Sequence, residues 1–181
     1  MSEHRLLASI KRCNDVNSLR VYILNAKNTI SNDGADLRTA NKILTTARDR
    51  LWQVRADLEN PKDAIERALW VALCAYEYVR SEIKNKNVRA TRIRTLIKDT
   101  DIRTAVYVVV LKGNTDGFNL LREWDRLDAS FESVILKYPS KFPEGVVAAA
   151  KRNLSKYKRG AKPPSLKSFD WIMQQYLNAR F

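Results

Sequence analysis

The sequence predicts an all-α protein, a compact multi-helix bundle of about eight helices with an amphipathic C-terminal helix after a basic, Pro-containing linker. Three observations predict it. Five glycines and five prolines in 181 residues are too few turn-formers for many short strands. Apolar residues recur at intervals of three and four, the helical period. No repeat of fixed period is present, which separates a bundle from a solenoid.

The elements follow in order. His4, the only histidine, is expected to sit in a frayed terminus. Leu19, Ile23, Ala26 and Ile30 form one apolar stripe, and Leu37, Ala40, Leu44, Ala47, Leu51, Val54 and Leu58 a longer one. Each is the core-facing side of an amphipathic helix. In the next helix Asn60 serves as cap, Pro61 suits the first helical position, and Asp63 complements the helix dipole. Apolar residues from Ala64 to Val79 nearly encircle it, which predicts a central helix. A shorter helix over 90–98 turns Ile93, Leu96 and Ile97 inward.

The β-branched run at 105–111 is the ambiguous one. It reads as helix, because a lone strand would leave its backbone groups unpaired; a buried strand is the other reading. Helices over 118–126 and 129–138 come next. Pro143 then opens one that runs through Val146, Val147, Ala150 and Leu154. The domain reading is a bundle over 1–158, a basic linker over 159–164, and a terminal helix over 165–181.

A chain of this length buries about 70% of its unfolded surface and folds without disulfide or metal. Cys13 and Cys74 are its only cysteines, with no disulfide framework and no metal spacing. Cys74 sits in "ALWVALCAY", where it reads as a small buried hydrophobe. The longest apolar runs have nine and seven residues, against ~20 for a membrane span. The N-terminus has no signal-peptide core. The expectation is a cytoplasmic protein with no membrane role and no cofactor.

Charge carries the functional reading. The net charge is +13, from 33 basic and 20 acidic residues. Two acid-free windows hold the excess. Residues 84–98 contain Lys84, Lys86, Arg89, Arg92, Arg94 and Lys98. Residues 151–167 contain Lys151, Arg152, Lys156, Lys158, Arg159, Lys162 and Lys167. The rest of the chain is balanced, so the excess is local. Arg152, Lys156 and Arg159 share a helix face opposite Val147, Ala150 and Leu154, while Arg94 and Lys98 are i, i+4 neighbours. Like charges stacked in this way repel by a few tenths of a kcal/mol per pair, and neither window contains an acid to offset them.

The expected function is therefore non-enzymatic nucleic-acid binding through backbone phosphates. DNA and RNA are equally open. An adaptor or inhibitor gripping an acidic protein surface is the alternative. Sequence-specific reading by a helix-turn-helix over 90–110 is disfavoured, because the second helix is too apolar for a major groove.

A lone terminal histidine argues against Ser-His-Asp and Cys-His nucleophile systems. No phosphate-cradling Gly motif is present. A metal-dependent nuclease needs only carboxylates, and Asp125, Asp128 and Glu132 would share a face if one helix ran unbroken there. Ion pairs with the interleaved Arg122 and Arg126 explain that set more simply.

In the last helix Phe169, Ile172, Met173, Tyr176 and Leu177 make an apolar face, with Trp171 on the opposite side. Docking on the chain's own bundle accounts for the face; insertion into a protein partner or a second copy accounts for both sides.

Overall fold

In the computed structural model residues 2–32, 36–113 and 115–158 are described, and among them all regular structure is helical. The chain falls into two compact units, Met1–Cys74 and Ala75–Phe181.

The first unit holds α1 (Glu3–Arg12), α2 (Val16–Ser31) and α3 (Leu37–Asp57). Asp15 caps α2 by accepting the Ser18 N–H at 2.7 Å, and Asp36 caps α3 through the Thr39 N–H at 2.9 Å. These caps satisfy donors that a helix start leaves open. Both α1 and α2 pack on α3. Leu19, Ile23 and Ala26 meet the buried stripe Ala40, Leu44, Ala47, Leu51 and Val54, joined by Trp52. Removing a leucine or isoleucine of this kind from water contributes about 1.5–3 kcal/mol. Leu37 and Leu58, at the ends of the predicted stripe, are exposed.

The frayed terminus expected around His4 is corrected: residues 3–12 form α1, with Ile10 fully buried. Ten residues do not hold a helix alone. Long-range contacts hold this one, the Glu3 carboxylate accepting from Thr39 Oγ1 and Lys42 Nζ, each at 2.8 Å. Arg50 of α3 donates to the Cys13 carbonyl at 2.9 Å and to the Asn14 side chain, pinning the α1–α2 link.

Helix α4 (Ala64–Lys84) begins later than predicted. Asn60 takes a left-handed conformation at φ 52°, and Pro61 precedes the helix. Asp63 is the cap, accepting the N–H groups of Ile65 and Glu66 at 2.8 Å, while Glu66 reaches back to the Lys62 N–H. Buried residues from Leu69 to Val79 surround α4 on most sides, Cys74 among them. The helix ends in a Schellman turn. Asn85 sits at φ 46°, the Lys86 N–H reaches the Ser81 carbonyl, and the Asn85 N–H reaches that of Glu82.

In the second unit follow α5 (Thr91–Asp99), α6 (Ile102–Lys112), α7 (Asp116–Glu123), α8 (Phe131–Lys137) and α9 (Glu144–Lys158). The ambiguous 105–111 run is helical. Asp101 starts α6 by accepting from the N–H of Arg103 and of Thr104 and from the Thr104 hydroxyl. Gly113 ends it at φ 64° and ψ 172°, a conformation open almost only to glycine. Helix α6 packs on α5 and α9, and α8 packs on α9. Tyr107 meets Phe142 edge to face, with ring centres 5.9 Å apart. The proposed linker 159–164 and terminal helix 165–181 lie outside the described residues.

Candidate nucleic-acid interface

The first basic window spans the end of α4, the loop 85–90 and α5. The loop is tied down from α4. Ser81 Oγ accepts the Val88 N–H at 2.9 Å and donates to the Glu77 carbonyl at 2.6 Å. Glu77 has no exposed side-chain surface. Its Oε1 accepts the Ala90 N–H at 2.8 Å and Arg94 Nε at 2.5 Å, and its Oε2 accepts Arg94 Nη2 at 3.0 Å. Arg89 approaches the same carboxylate at 3.9 Å. Burial alone would push the Glu77 carboxyl up. The bonds from Arg94 and the Ala90 N–H, with the charges of both arginines, outweigh it and hold the group below the usual carboxylate range.

This geometry corrects the role expected for Arg94. Its side chain is only 17% exposed and serves the buried carboxylate, so it is not a surface cation beside Lys98. Arg89 keeps half its surface, 49%, in solvent while leaning on Glu77. Lys84, Lys86, Arg92 and Lys98 are exposed and form no salt bridge among the described residues. Ile93, Leu96 and Ile97 are half-buried, the inward side the spacing predicted.

The second window lies on α9. The N–H groups of Val146 and Val147 bond to the Pro143 carbonyl, which makes Pro143 the cap rather than the first helical residue. Val146, Ala149, Ala150 and Asn153 are buried; Lys151, Arg152, Ser155 and Lys156 are exposed. Neither Lys151, Arg152 nor Lys156 forms a salt bridge among the described residues. The buried edge of α9 is fixed by Asn153, whose Nδ2 donates to the Val110 carbonyl at 3.1 Å and to Glu132 Oε1 at 3.3 Å. The side chain of Lys158 lies outside the described residues. So do Arg159 and Lys162, and the expected partner-facing residues Phe169, Trp171, Ile172, Met173, Tyr176 and Leu177.

The carboxylate set expected as an alternative metal site does not converge. Asp125, at φ 53°, is the left-handed residue of the Schellman turn that ends α7, with the Arg126 N–H on the Leu121 carbonyl at 2.8 Å. Asp128 holds Arg126 in a two-pronged pair at 2.9 and 3.0 Å. Glu132 is buried one helix further on. Among the described residues no three His, Cys, Asp or Glu side chains are grouped to hold a metal ion. None of the described helices is long and apolar enough to cross a membrane.

No family model, curated protein or solved structure matches this chain. The site is thus defined by its own chemistry: fixed helices presenting guanidinium and ammonium groups, each able to donate several hydrogen bonds to phosphate oxygens. Sequence reasoning missed Glu77. Its signal was a single acid inside the apolar run "LCAYEYV", a position that demands a cationic partner.

Proposed function

We propose that the protein binds nucleic acid through backbone phosphates, without acting on it chemically. One observation carries the reading. Lys84, Lys86, Arg92 and Lys98 in one window, and Lys151, Arg152 and Lys156 in the other, are exposed and lack a carboxylate partner among the described residues. Helices α5 and α9 both pack on α6, which supports treating the windows as features of one rigid scaffold.

The physical argument is counterion release. Cations held near one another by a folded backbone repel until an anion lies against them, and a phosphate chain sheds its own condensed ions when it does so. Each phosphate so contacted adds about 0.9 to the log–log salt slope on duplex DNA. Phosphate contacts position a protein without reading sequence.

A gel-shift series tests this with single- and double-stranded DNA and RNA at 50 and 200 mM salt. The expected result is binding that weakens steeply with salt and is lost first in the Arg152→Glu/Lys156→Glu protein. Unchanged affinity in that variant, or equal competition by poly-glutamate of matched charge, overturns the reading.

A further inference from the structure

Between α1 and α2 runs an open groove of about 650 Å³, within the size range of small-molecule sites. It is lined by one face of α1, made of His4, Arg5, Ala8, Ser9 and Arg12, and by Ser18 and Tyr22 of α2 with Cys13 at the link. The α1 residues lie at i, i+1, i+4, i+5 and i+8, a spacing that keeps them on one side of a helix. Ala8 is central on that side, and its single methyl leaves the groove unfilled.

No carboxylate lines the groove. Glu3 faces α3, bonded to Thr39 and Lys42. Asp15 is occupied as the α2 cap, through the Ser18 N–H. Some cations elsewhere in this unit are already engaged: Lys42 with Glu3, Arg67 with Asp57, Arg50 with Asn14 and Gln53. Arg5 and Arg12 are exposed and have none among the described residues. Tyr22 is half-buried, and its hydroxyl makes no hydrogen bond among them. About seven residues separate the two guanidinium-bearing positions, roughly 10 Å along the helix axis.

We infer that this groove binds a nucleotide unit, its phosphate held by Arg5 and Arg12 and its base laid on the ring of Tyr22. A guanidinium fork matches phosphate oxygens, and every base offers a face on which an aromatic ring stacks. A lipid headgroup fits poorly, since no branched or long aliphatic side chain lines the groove to cover an acyl chain. The unit is either a free nucleotide or one residue of a single strand. The inference is independent of the basic windows on α5 and α9.

Calorimetric titration of the full chain tests it, with 5′-AMP, adenosine, inorganic phosphate and the single strand dA6 as probes. AMP should bind at least about tenfold more tightly than adenosine or phosphate, because base and phosphate contribute together. Arg5→Ala/Arg12→Ala and Tyr22→Leu should each lower AMP affinity about tenfold, with circular dichroism unchanged. Tyr22→Phe, which keeps the ring, should retain it. Arg152→Glu/Lys156→Glu should leave AMP binding as it was, even where its duplex binding is lost. If dA6 binds and AMP does not, and the α1 double variant abolishes dA6 binding, the source is a strand. AMP binding no better than phosphate together with dA6 binding indifferent to Arg5 and Arg12 overturns the inference. So does wild-type AMP affinity in the α1 double variant.

Discussion

Arg94 of α5 grips the carboxylate of Glu77 on α4 through two bonds, Nε to Oε1 at 2.5 Å and Nη2 to Oε2 at 3.0 Å. The carboxylate is fully buried and also receives the Ala90 N–H that opens α5. A charge drawn from the basic window thus anchors that window to the helix before it.

Breaking this pair should be costly. Arg94→Gln removes the bidentate cation from a buried carboxylate and leaves only Arg89 near it at 3.9 Å, a loss of the kind that costs about 3–5 kcal/mol. Urea unfolding should show the loss, whereas the salt slope of nucleic-acid binding by the folded protein should stay the same. The double variant Glu77→Leu/Arg94→Met should recover much of the stability, since well-packed apolar groups often replace a buried ion pair at little cost.

The same pair sets an acid limit. The folded-state pKa of Glu77 lies below the unfolded value, so its stabilisation is present above the unfolded pKa and is lost as pH falls through the folded one. Melting temperature should therefore decline below about pH 4.5, and Glu77→Gln should flatten that part of the curve from a lower starting stability.

Glu132 has the opposite sign. Burial raises its pKa, opposed only in part by the N–H of its own backbone and by Asn153 and Ser130. The folded chain then binds the proton more tightly, and stability falls as pH rises from the unfolded pKa through the folded one. Glu132→Gln keeps an oxygen for Asn153 Nδ2 and removes the charge. It should raise the melting temperature at pH 7 and not at pH 4, each pKa unit between folded and unfolded chain being worth about 1.4 kcal/mol. Equal melting at both pH values would refute this.

Among the described glycines, Gly113 is the least tolerant of a side chain. Its backbone lies at φ 64° and ψ 172°, and an added Cβ would stand 3.1 Å from Asn153 Oδ1. Gly113→Ala should cost about 1–3 kcal/mol from the backbone alone, measured by chemical denaturation, with the α6–α9 contact loosened as well.

Arg152 and Lys156, in contrast, touch little. Arg152→Ala/Lys156→Ala should change stability by under about 0.5 kcal/mol. The same variant should reduce the log–log salt slope of duplex binding by roughly 2, about one for each phosphate contact removed.

Much of this molecule was readable in its residues, and the reason differs by element. The apolar stripes of α2 and α3 and the encircled α4 are local patterns and were readable, whereas the cap of α4 fell to Asp63 instead of Asn60 and Pro143 became a cap instead of the first helical residue. The 105–111 run was readable as helix through an accounting of backbone bonds rather than through propensity, which favours strand for valine. Helix α1 was not readable, because its stability comes from Glu3 meeting Thr39 and Lys42 across more than thirty residues. The supposed continuous helix over 125–132 failed on a turn, as Asp125 took a left-handed position, which a short polar side chain tolerates better than other non-glycine residues do.

Charge divides in the same way. That thirteen cations crowd into two acid-free windows is a property of the covalent chain, and so are its helical period and its shortage of strand-breaking turns. Which of those cations still face solvent is not, because a partner distant in sequence enters only when the backbone brings it near. Tertiary structure withdrew Arg94 to neutralise Glu77, left Lys84, Lys86, Arg92, Lys98, Lys151, Arg152 and Lys156 facing water, and set Arg5, Arg12 and Tyr22 around one groove. The difference is one of range: periodicity and composition act between neighbours along the chain, whereas pairing and burial act between neighbours in space.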